Sequence, residues 1–236
     1  MDAWSLVLRP GDEVTVSGIV VTDGRDRGLL LGPLHPDLLP GVMLDQPLVV
    51  RLDGVTTDTP AWPDAEARHA RLTGVWTGRS VAVSRAVDEG PVAPLGTMDH
   101  GDPPSSEITT ALQALRERGV IVGVHLKITA DSRSATVTAT DVRLARETLE
   151  PIFDHLLVCR APHSSAELAA ASRRITVATP EAILGSVGES TDRDGVCRST
   201  ASVQRVTPEM AEALEDVPAT ALELTVFLQR TSAHGG

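Results

Sequence analysis

Tyrosine is missing from this chain of 236 residues, and only Trp4, Trp62, Trp76, Phe153 and Phe227 carry aromatic rings. A core must therefore be packed from Leu, Val, Ile and Ala, and platforms on which nucleic-acid bases could stack are scarce. Lysine is almost as rare: Lys127 stands alone beside twenty arginines. That imbalance reads as the codon bias of a GC-rich bacterial genome. It also excludes a phosphate-cradling loop, whose lysine must precede Ser or Thr, because Lys127 precedes Ile128. The patterns G-x-G-x-x-G, G-x-S-x-G and H-E-x-x-H are absent too, which leaves no signature of a cofactor or a hydrolase. With two cysteines, Cys159 and Cys197, stability cannot rest on a disulfide framework. No apolar run nears the ~20 residues that span a bilayer. The first twenty residues lack a basic stretch followed by an apolar one. These absences point to a cytoplasmic protein with no membrane partner and no cofactor.

What the chain does hold is acid. Asp and Glu number 32 against 21 Lys and Arg, a net charge of −11. Up to Ser105 there are 8 basic and 15 acidic residues, and beyond it 13 and 17, so neither half is basic. A field of this sign repels phosphate backbones and anionic lipid and attracts basic partners. Hydrophobic residues at 42% exclude a disordered polymer, and the length suits one large domain or two small ones.

After Pro10-Gly11, apolar and polar residues alternate, which predicts a half-buried strand over 12–21. Short strands are expected at 28–33 and 47–54, with an irregular Pro- and Leu-rich stretch between them. Residues 67–77 and 80–87 read as a hairpin around Thr77-Gly78-Arg79. This rhythm has a long first strand bent at Gly18, a long connection before the fourth strand and a closing hairpin. Over residues 8–90 it resembles the OB-fold. The resemblance implies a small closed five-stranded barrel, an architecture that does not fix a function.

Residues 91–105 combine Pro91, Pro94, Pro103 and Pro104 with Asp99 and Asp102 and read as a linker. Beyond it helix and strand mix. A helix is expected from an N-cap at Ser106 to Gly119, then strands over 120–130 and 135–142 flanking a turn at 131–134. Apolar spacing predicts a helix over 144–158, kinked or restarted at Pro151. A further helix over 165–174, capped by Ser164 or Ser165, precedes residues 175–178, which can form a strand. Pro180 opens a short helix ending at Gly185, followed by a loop over 188–195 and a strand over 196–206. Thr207-Pro208 starts a helix running to about Leu214, and 221–229 is the closing strand. No internal repeat of 20–50 residues is visible. The expected fold class is α+β: an N-terminal five-stranded OB-like β-barrel (1–90), a linker (91–105) and a mixed α+β domain (106–236).

Few residues have the look of a site. His155-x3-Cys159-x3-His163, with Cys197 downstream, offers zinc-ligand types. Pro162, however, breaks the helix on which they would align, and Cys159 reads better as a small buried hydrophobe. As a nucleophile, Cys159 would sit at a helix C-terminus, where the dipole opposes a thiolate. Cys197, beside Arg198, has no local signature. Asp99-His100-Gly101-Asp102 looks like half of an acid/base loop but falls in the linker. Asp192-Arg193-Asp194-Gly195 opens like a calcium loop and lacks its remaining spacing and terminal Glu, so it reads as a turn. On the expected barrel, Arg51, Arg71 and Arg85 lie in strands and can form an interaction stripe with Trp76. The terminal Gly235-Gly236 resembles the tail of a ubiquitin-like modifier and reads as a frayed end.

By elimination, the expectation is a non-enzymatic protein–protein interaction module without metal or cofactor. An immunity-type inhibitor or an adaptor subunit of a bacterial complex fits, with a basic protein as partner. Two alternatives stand beside it. One is single-stranded nucleic-acid binding by the OB-like barrel. The other is a hydrolase without a recognised motif, built from Asp99, His100, His155 or Cys159.

Overall fold

The computed structural model describes residues 2–22, 26–31, 44, 48–55, 68–91 and 102–231. Its first sheet is built from β1 (Glu13–Thr22), β2 (Arg27–Leu30), β3 (Val49–Asp53), β4 (Arg68–Trp76) and β5 (Ser80–Pro91). The five strands expected from alternation are all present. Pairing runs β1-β2-β3-β5-β4 and returns from β4 to β1, so the strands form a ring, antiparallel except for β3 against β5. Gly18 sits where β1 passes from β4 to β2, and a Cβ there would collide with the Leu30 carbonyl oxygen. Val14, Val16, Leu29, Val50, Leu72, Trp76 and Val81 fill the interior.

Residues 106–226 carry one element pattern made twice. The first copy is α1 (Ser106–Glu117), β6 (Ile121–Thr129), β7 (Ser132–Ala139), α2 (Val142–Leu149) and β8 (His155–Arg160). The second is α3 (Ser165–Ala178), β9 (Leu184–Thr191), β10 (Cys197–Val203), α4 (Pro208–Leu214) and β11 (Leu222–Val226). In each copy the middle strand pairs antiparallel with the strand before it and parallel with the strand after α2 or α4. The match extends to residues. Ala135 and Ala201, Val137 and Val203, and Ala145 and Ala211 are all buried, each pair 66 residues apart. Asp141 and Thr207, at the same spacing, both cap the following helix. Ala135 pairs with Leu156 as Ala201 does with Leu224. Helices cover one face of each sheet, burying Ile108, Leu115, Val137 and Leu149 in the first copy and Ile175, Val203, Met210 and Leu214 in the second.

Five expectations are corrected. The helix foreseen over 144–158 stops at Leu149, and His155–Arg160 is a strand, because Pro151 ends the helical ladder and β7 offers a parallel edge. Residues 175–178 stay in α3, held by Ile175, which is buried in the core. Half of the loop foreseen over 188–195, residues 188–191, belongs to β9, paired along β10. The closing strand splits into β11 and β12 (Gln229–Arg230), which join different sheets. The N-cap of α1 is Ser105 rather than Ser106.

The ring and the second copy are stitched together by both chain ends. A 3-10 turn at Ala3–Leu6 packs on α4, and Val7 bridges to Val206. β12 pairs with Val14 and Thr15 of β1, the part of that edge that β2 does not reach, and Leu228 is fully buried in the ring's interior. Gln204 Nε2 donates to the Val49 carbonyl at 3.2 Å, and the Arg205 guanidinium lies 5.2 Å above the Trp76 ring. Among the described residues, no helix is long and apolar enough to cross a membrane.

Candidate interaction surface

The four zinc-type residues are not brought together. His155 and Cys159 share one face of β8, four residues or ~13 Å apart along the strand. His163 precedes α3, its Nε2 2.9 Å from Thr220 Oγ1. Cys197 is buried in β10, and burial pushes its thiol pKa up. Among the described residues, no three His, Cys, Asp or Glu are placed to hold a metal ion. Cys159 stands in a strand and not at a helix end, so the dipole argument against its thiolate does not apply. Trp62, Asp99, His100 and Gly235-Gly236 lie outside the described residues.

The arginine stripe is assembled only in part. Arg71 faces Val87 and Arg85 faces Thr73, which makes Arg71 and Arg85 diagonal neighbours on the outside of the ring. Arg71 is committed to Glu89 at 2.6 Å and reaches Ser17 Oγ at 3.4 Å. Arg51 pairs with Ser80, ~16 Å along β5 from Arg85. Trp76 is 2% exposed and belongs to the core, so it offers no ring for stacking.

The turn at residues 192–195 has a larger part than its sequence suggests. Asp192 Oδ1 accepts from the backbone N–H of Asp194 at 3.0 Å and of Val196 at 2.8 Å, and Gly195 takes φ +78°. So shaped, the turn lies on the outer face of the β6-β7-β8 sheet. Thr136 Oγ1 donates to the Arg193 carbonyl at 3.2 Å, Cys159 Sγ to that of Asp194 at 3.5 Å, and Thr138 Oγ1 to that of Gly195 at 2.7 Å. Three consecutive backbone carbonyls are thus bound by three side chains of one sheet face. The row Gly123–Thr138–Cys159 makes room by being small. A Cβ on Gly123 would collide with Thr191 Oγ1 and come within 2.6 Å of Cys197 Sγ. The available signal was Gly123 itself, since a glycine inside a strand marks a close approach.

Two further rows continue this face to solvent: His125–Thr136–Leu157 and Lys127–Ser134–His155. They line an open depression of about 540 Å³, with Glu150, Phe153 and Asp154 also on its walls. Leu157 is 49% exposed in its midst. The Asp154 carboxylate accepts from the Arg133 backbone N–H at 2.8 Å, with the Arg133 Nε 3.9 Å away. The matching rows of the second copy are Ser186–Ser202–Thr225 and Gly188–Thr200–Glu223. Imidazoles, ammonium and exposed leucine are therefore particular to the first copy. Sequence reasoning missed this face because it placed His155 and Leu157 on a helix. No family model matches the chain, and no curated protein matches it.

Proposed function

We propose that the chain is a non-catalytic protein-binding module, of the adaptor or immunity-inhibitor kind, that receives a partner polypeptide on the outer face of β6-β7-β8. One observation carries the reading: this face already holds a polypeptide in cis, by the three carbonyl contacts of the 192–195 turn. The next two rows extend the same hydrogen-bonding surface around an exposed leucine, the arrangement of an apolar anchor within a polar rim. The net charge of −11 favours a partner of opposite net charge, and the solvent side of α4 adds Glu209 and Glu212 to that field.

For the ring we propose an OB-like barrel, on the strength of its strand order and its parallel β3–β5 pairing. Its role in this reading is to anchor the second copy rather than to bind single strands, since Trp76 is enclosed and Arg71 is paired with Glu89. A hydrolase reading would draw on His155 and Cys159, which Leu157 separates on the face.

The test is recovery of a partner from the native host on immobilised protein, comparing the parent with Leu157→Arg and with Arg85→Glu on the ring. A polypeptide retained by the parent and by Arg85→Glu but lost with Leu157→Arg is the expected outcome. Equal recovery on all three would remove the reading.

A further inference from the structure

We infer that the segment received by the β6-β7-β8 face is an extended acidic one, presenting Asp or Glu side chains to Lys127, His125 and His155. The inference rests on the docking reading above and adds the local chemistry of what docks: an acidic segment within a partner whose net charge is positive.

Lys127 supplies three N–H donors and no acceptor. It has no carboxylate partner among the described residues. In a chain with 32 acids its placement on this one face, between imidazoles and next to the Ser134 hydroxyl, concentrates donors where the molecule elsewhere concentrates acceptors. Lys127 and His155 flank Ser134 in a single row, about 10 Å apart across two strand spacings, and His125 stands one row along. His125 and Lys127, two residues and so ~7 Å apart along β6, match side chains at alternate positions of an extended peptide, and His155 lies beyond the span of a single small anion.

The two carboxylates on the walls do not cancel this. Asp154 is held by the Arg133 backbone and guanidinium, and Glu150 also lines the neighbouring depression with Arg143, Arg146 and Arg160. The second copy provides an internal control: at the places of Lys127 and His155 it has Gly188 and Glu223, so the basic character is no requirement of the fold.

The experiment is an amide chemical-shift titration of the full chain with two capped probes, hexaglutamate and hexalysine, at low salt. Hexaglutamate is expected to shift amides over 124–128, 133–137 and 154–158, hexalysine to leave them in place, and Lys127→Glu to weaken the hexaglutamate titration at least tenfold. Lys127 is solvent-exposed, so the variant folds; His125→Gln combined with His155→Gln provides a second, uncharged loss and is expected to weaken the same titration. The inference is overturned if hexalysine shifts this face as strongly, if neither probe shifts it, or if Lys127→Glu titrates like the parent. None of these outcomes touches the docking reading, which stands or falls on partner recovery with Leu157→Arg.

Discussion

Gly123 and Thr138 show how closely the two copies are fitted. Any β-carbon at Gly123 meets Thr191 and Cys197, both belonging to the second copy. Gly123→Ala is therefore expected to destabilise the protein by about 1–3 kcal/mol, the usual range for an overpacked site, seen as a lower urea midpoint. Thr138 is fully buried, and its hydroxyl is the donor to the Gly195 carbonyl. Thr138→Val keeps the shape and strands that carbonyl, at a cost of about 1–3 kcal/mol. Thr136→Val, which removes the more exposed bond to Arg193, should cost clearly less in the same measurement. If the two threonines proved equal, the buried bond would not be what holds the turn.

Among the elements, α3 has the best-defined start. Ser164 and Glu167 form a reciprocal capping box. The Glu167 carboxyl is held below the ordinary carboxylate value by hydrogen bonds from the Ser164 backbone and hydroxyl, assisted by the nearby His163. A lowered folded-state pKa contributes stability above the unfolded value near 4.5 and loses it as pH falls through the folded value. Glu167→Gln should therefore flatten the acid limb of a melting-temperature profile below about pH 5 and leave the neutral limb's slope unchanged. Ser164→Ala should cost about 1 kcal/mol at neutral pH. Signals of this local kind were legible in the sequence: the caps at Ser164 and Thr207, the turn at Gly78 and the alternation of β1. What escaped was what distant neighbours decide. Leu156 faces the core and Leu157 faces solvent, so β8 shows no alternation, while Leu144, Leu149, Ile152 and Phe153 continue a helical spacing into it. β9 is polar on both sides because only Leu184 and Val187 reach the core, and it reads as loop. The repeat escaped because its 66-residue spacing exceeds the 20–50-residue periods of stacked repeat arrays and its matched positions are mostly small or apolar core residues.

At the scale of the whole molecule, the ring and the second copy share buried groups, with Leu228 in one and Val7 in the other. Calorimetry should accordingly show the ring and second copy unfolding in a single transition, with van't Hoff and calorimetric enthalpies in agreement. Removing residues 229–236 should speed amide exchange at Val14 and Thr15, which lose their β12 partners. The same arrangement bears on how the protein is made. The edge of β1 is completed by residues synthesised some two hundred positions later, a delay of about 10–40 s at ribosomal speed. Throughout that interval the nascent chain presents an open strand edge beside an incompletely filled apolar interior. A holding chaperone, or fast translation of the closing stretch, would spare it from pairing with a neighbour on the same messenger.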